Sequence, residues 1–163
     1  MKSEQQLLTR IKQSLVLFMI GLALSGITAF PLKTELDMLI KCRHIMPEVI
    51  AEFITKVHQA ITLVNDLYPF MAYGTDWLAF AHLMLTVLFI GPYRNPVKNI
   101  WAIEFGMFSC LAVFPLAFIC GAIRGIPFYW QLLDCSFGFF GLIPLLYAHK
   151  LTKQLTHFQT QSN

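Results

Sequence analysis

Apolar and polar positions alternate along this chain in long blocks: four apolar runs, at about residues 14–31, 73–92, 100–123 and 127–148, separated by polar or mixed segments. Each run approaches the ~20 residues that a helix needs to cross ~30 Å of hydrocarbon. Prolines punctuate them. Pro31, Pro92 and Pro127 fall at run boundaries, where a missing N–H costs little, while Pro115 and Pro144 lie inside runs and predict kinks.

Residues 33–72 are too polar to span and too apolar for a flexible linker, and they read as two helices. Thr34 suits the N-cap of a helix beginning at Glu35, with Glu35 and Asp37 in the first turn facing the positive dipole end. Pro47 suits the first position of a second helix. There Ile50, Phe53, Ile54, Val57, Ile61, Val64 and Tyr68 recur at helical spacing, with Glu52 and Lys56 on the polar side. The pattern predicts an amphipathic helix of about five turns, packed over the mouth of a bundle or lying in the headgroup layer.

Composition narrows the class. Hydrophobic residues make up 56% of the 163 and charged residues 13%, against roughly 45–50% and about 25% in soluble domains. An aromatic content of 14% and a mean hydropathy of +0.61 exclude disorder as well. The expected architecture is therefore an all-α integral membrane protein, one membrane domain over residues 1–163: a four-transmembrane-helix bundle with a helical extracytoplasmic loop between spans 1 and 2. Gly21, Gly26, Gly106, Gly138 and Gly141 are expected to admit close helix contacts.

Charge then orients the frame. The net charge of +3 fits membrane anchoring better than nucleic-acid binding, and no nucleic-acid partner is expected. Lys2, Arg10, Lys12, Arg94, Lys98, Lys150 and Lys153 fall with the N-terminus, the 93–99 loop and the C-terminus. That places both termini in the cytoplasm, and the setting expected is a bacterial inner membrane. Tyr93, Trp101 and Tyr147 would mark the inner interface and Tyr73, Trp77, Tyr129 and Trp130 the outer. A rival reading takes residues 1–29 as a signal peptide, against which stands an apolar run longer than the usual h-region of ~7–15 residues.

Ionisable groups inside spans cost about 2.5–3.5 kcal/mol each on insertion scales, so they are the candidate functional residues. His82 lies about 13 Å inward from Tyr73 and Asp134 about 12 Å inward from Ile126 by helical rise, which suggests a hydrogen-bonded pair. Asp76, about 5 Å deep, is expected to reach Arg124. With Gln131 these residues would line a polar pocket in the outer half. Glu104, about 9 Å from Lys98, is expected to attract Arg94, Lys98 or Lys150.

Chemical signatures are scarce. Cys42, Cys110, Cys120 and Cys135 form no C-x-x-C, and Cys42, His44 and His58 make only a weak metal-ligand set. His82 and His149 lie at different depths, which disfavours a bis-His haem. H-E-x-x-H, G-x-S-x-G and Walker motifs do not occur. No cofactor is expected. The leading reading is an accessory or ligand-binding membrane module without enzymatic activity, its partners the bilayer and possible further copies or a larger complex. Alternatives are a proton- or ion-coupled carrier using His82 and Asp134, or an integral membrane redox enzyme.

Overall fold

Each apolar run is helical, the second as two consecutive helices, and the mixed segment between the first two runs becomes a helical pair. The computed structural model describes residues 4–161, so Lys2 and the end of the polar tail lie outside it. Described are α1 (Glu4–Ala29), α2 (Leu32–Lys41), α3 (Glu48–Leu67), α4 (Tyr73–Leu88), α5 (Ile90–Arg94), α6 (Ile100–Ile123) and α7 (Phe128–Gln161). Short 3-10 turns lie at Arg43–Ile45 and Pro69–Ala72. Four stretches are long and apolar enough to cross a membrane: Glu4–Ala29, Pro69–Arg94, Ile100–Ile123 and Phe128–Gln161.

Several boundaries differ from the sequence expectation. α2 starts at Leu32 rather than Glu35, because the Pro31 carbonyl already accepts the Glu35 N–H at 2.9 Å and no side-chain cap is used. Thr34 thus lies inside the first turn. Pro47 precedes α3 instead of opening it, its carbonyl accepting from Ile50 and Ala51 at 3.0 Å. The second run breaks between α4 and α5. Pro92 has no N–H for the Leu88 carbonyl four residues back, and the ladder resumes at Tyr93, which donates to Phe89 O at 3.1 Å.

The larger difference is length. α1 begins well before its apolar run, and α7 continues through the polar tail to reach 34 residues in all, about 51 Å against ~30 Å of hydrocarbon. Packing explains it. Leu7, Ile11 and Leu15 of α1 share one buried core with Leu145, Ala148, Leu151 and Leu155 of α7, joined by Phe89, Ile103 and Cys110. Beyond that core, Gln159 donates to Glu4 at 2.8 Å.

The chain packs as two compact units. Unit 1 takes α1 up to Gly21 and everything from Thr86 onward, and unit 2 is Leu22–Leu85. In unit 1, α6 and α7 form an antiparallel hairpin whose turn is closed by Gly125 at φ 66°. Gly125 donates to Ala122 O and Ile126 to Gly121 O, a Schellman closure that requires the left-handed residue. In unit 2, α2 packs on α3, burying Leu36 and Ile54, and α1 meets α4 closely enough that a Cβ on Gly26 would lie 3.0 Å from Ala79 O. Gly21, by contrast, faces open space.

Candidate functional site

The register of the α6–α7 hairpin decides which polar groups meet in unit 1. Gly121 lies under Gln131, and a Cβ on Gly138 would come within 2.5 Å of Cys110 O, so the two backbones touch there. Continuing along the hairpin brings Glu104 opposite His149, whose Nε2 donates to Glu104 Oε1 at 3.0 Å. The sequence pointed Glu104 towards a lysine or arginine. The helices instead supply an imidazole, largely covered while the carboxylate stays half exposed. The signal was present: His149 and Glu104 both stand just inside basic ends of neighbouring helices.

A second cluster joins α2 to α3 in unit 2. His58 Nε2 donates to Asp37 Oδ1 at 2.7 Å, and Lys33 donates to Asp37 Oδ2 at 3.0 Å from one turn earlier. The His58 and Lys33 hydrogen bonds hold the Asp37 carboxyl below the usual carboxylate range. Asp37 was read from sequence only as a dipole-matching residue, since its partner on α3 lies 21 positions away.

The remaining candidates sit as follows. His82, half-buried on α4, donates from Nδ1 to Leu78 O at 2.8 Å. That bond sets the tautomer: Nε2 of the neutral ring is an acceptor, so a carboxylate meeting it needs a proton on one partner or the other. Asp134 is half-buried on α7 and Asp76 half-buried on α4, while Arg124 is exposed at the end of α6. Because His82 and Asp76 belong to unit 2 and Asp134 and Arg124 to unit 1, each is described within its own unit. Gln131 is buried, its amide donating to Ile126 O at 2.7 Å, which makes it a brace for the α6–α7 turn.

Cys42, Cys110, Cys120 and Cys135 are all free thiols. His44 Nδ1 meets Lys41 O at 3.2 Å and His58 is engaged by Asp37, so the weak metal set Cys42, His44 and His58 has two imidazoles with other partners. Among the described residues no three His, Cys, Asp or Glu side chains gather to hold a metal. Two open cavities stand out. One of about 390 Å³ is lined by Thr9, Lys12, Gln13, Val16 and Tyr93. The other, about 450 Å³, lies along Arg43, Glu48, Glu52, Thr55 and Lys56. No family model, curated protein or solved structure gives a significant match to this chain.

Proposed function

We propose that the chain is a small multi-pass membrane protein acting as an accessory or ligand-binding module without a catalytic reaction of its own. One observation carries this reading: within an 18-residue apolar window of each stretch, only 11% to 22% is buried inside the protein. Apolar surface on that scale needs lipid or further protein against it, which suits a subunit that associates with copies of itself or with a larger membrane complex. Both termini are assigned to the cytoplasm from the distribution of Lys and Arg.

The test is spectroscopic and topological. The purified protein is expected to show no Soret band and no stoichiometric copper, and either one would replace this reading with a redox enzyme. Cysteine probes placed by His58→Cys and Pro96→Cys should label from outside and from inside respectively, and the opposite pattern reverses the orientation. A proton-coupled carrier is the second reading, favoured by the half-buried His82 within the apolar α4, its Nδ1–H donated to Leu78 O.

A further inference from the structure

The first of the two cavities is an open groove that gathers one cation, two further polar side chains, a tyrosine and a valine. Lys12 stands on α1 with its Nζ 5.4 Å from the centre of the Tyr93 ring, a cation–π contact that restrains an otherwise flexible side chain. Gln13 and Thr9 complete the polar wall, Thr9 with its hydroxyl already donated to Gln5 O at 2.9 Å. On α1, Arg10 donates to the Tyr147 hydroxyl at 3.4 Å. In unit 1 the ion pair among the described residues is Glu104 with His149, so neither Lys12 nor Arg10 is neutralised by a carboxylate.

Position sharpens the chemistry. Tyr93 and Tyr147 are of the residue type that marks the headgroup level, and they meet the two cations there. One turn deeper, Val16, Leu17 and Ile20 present exposed apolar side chains that continue away from the cavity along α1. A ligand fitting both parts carries a negative head and an apolar tail. Donors that can face the head are the Lys12 ammonium, the Gln13 amide and the Tyr93 hydroxyl, a set suited to phosphate oxygens.

We propose that Lys12, Gln13 and Tyr93 form a binding site for the phosphate of an anionic phospholipid, whose acyl chain runs along Val16, Leu17 and Ile20. The proposal rests on the membrane reading above. The shared chemistry is a phosphate anion, and the apolar strip below the cavity selects the lipid over free phosphate.

Native mass spectrometry of the full chain released from nanodiscs tests it, with phosphatidylglycerol or phosphatidylcholine as the probe lipid. Wild type should retain phosphatidylglycerol in preference to phosphatidylcholine. Lys12→Gln should weaken that retention about fivefold, the factor expected for one basic residue at an anionic surface. Lys12→Arg should preserve it, as should Lys153→Gln, which removes a cation from the exposed face of α7. Tyr93→Leu, which removes the ring that restrains Lys12, should weaken it too. Equal retention by wild type and Lys12→Gln, or equal retention of the two lipids, overturns the proposal. Displacement of the lipid by millimolar inorganic phosphate also overturns it, in favour of a soluble anion. Alkaline extraction of membranes separates the two levels. Release of wild type into the soluble fraction refutes the membrane reading itself, whereas a wild type that stays in the pellet but fails the lipid comparison refutes only the site.

Discussion

In unit 1, α1, α6 and α7 bury Leu7, Ile11, Leu15, Ile103, Leu145, Leu151 and Leu155 in one continuous core, and glycines let the α6 and α7 backbones touch. In unit 2, which has comparable apolar content, the buried apolar residues are Leu36, Ile54 and Ala79, and the contact between α2 and α3 is reinforced by the polar cluster of Lys33, Asp37 and His58. α3 even buries the Thr62 hydroxyl without a hydrogen-bond partner, an arrangement that costs stability. Apolar composition therefore does not by itself produce a core. Unit 1 has helices with complementary small and large residues at matching levels, while most large apolar side chains of unit 2 stay exposed.

The contrast can be broken most directly by deleting core methyl groups. Leu155→Ala, at a fully buried position where α1 and α7 run together past the apolar stretch, should cost about 2–5 kcal/mol. Leu63→Ala on α3, 58% exposed, should change stability by no more than about 0.5 kcal/mol. Thermal unfolding in detergent measures both, and similar losses would show that unit 2 is held by apolar packing after all.

Adding atoms probes the same difference. Gly138→Ala places a methyl group against Cys110 O and should cost about 1–3 kcal/mol. Gly21→Ala meets nothing within 4 Å and should be neutral, or stabilising by up to about 1 kcal/mol through helix propensity. A neutral Gly138→Ala would mean that α6 and α7 do not approach as closely as described.

Smaller effects test whether polar groups tie the regions energetically. A double-mutant cycle on His82→Leu and Asp134→Leu should return a coupling of about 0.6 kcal/mol, and at most near 1.7, if these residues pair within the membrane. Strict additivity would remove the pair from consideration. If both single variants remain folded but lose a transport or binding activity, the carrier reading gains.

The smallest effect belongs to the half-buried cluster of unit 2. Hydrogen bonds from His58 and Lys33 hold the Asp37 carboxyl below its ordinary value, so its contribution to stability is fully present above that ordinary value. It is lost as pH falls through the lower folded value. Hydrogen exchange of the α2–α3 amides should therefore rise in wild type relative to Asp37→Asn only in that acidic window. A difference between the two that persists unchanged through low pH would mean that protonation of Asp37 is not what loosens the pair.

The candidate residues show where sequence reasoning reaches its limit. His82 and Asp134 were legible because an ionisable side chain within an apolar run stands out by cost alone. Glu104 was legible for the same reason, and His149 stands near the same basic helix ends, but only the way α6 and α7 slide past each other selects it over a lysine or arginine. His58 was visible as a possible ligand and Asp37 as a first-turn acid matching the helix dipole, yet nothing in their spacing joined them across the turn from α2 to α3.

The four apolar stretches, the helical character of residues 33–72 and the aromatic and basic residues near helix ends were set by the sequence alone. Hydrophobic periodicity and the need to satisfy the backbone are local properties, readable one run at a time. Tertiary packing decided the rest. It lengthened α1 and α7 beyond their apolar runs, because Leu7 and Ile11 share a core with Leu151 and Leu155. It chose Gly121 and Gly138 for close contact and left Gly21 open, and it set Lys12 over Tyr93. Each of these depends on the rotation and register of one helix against another, quantities that enter only when residues far apart in the chain compete for the same space.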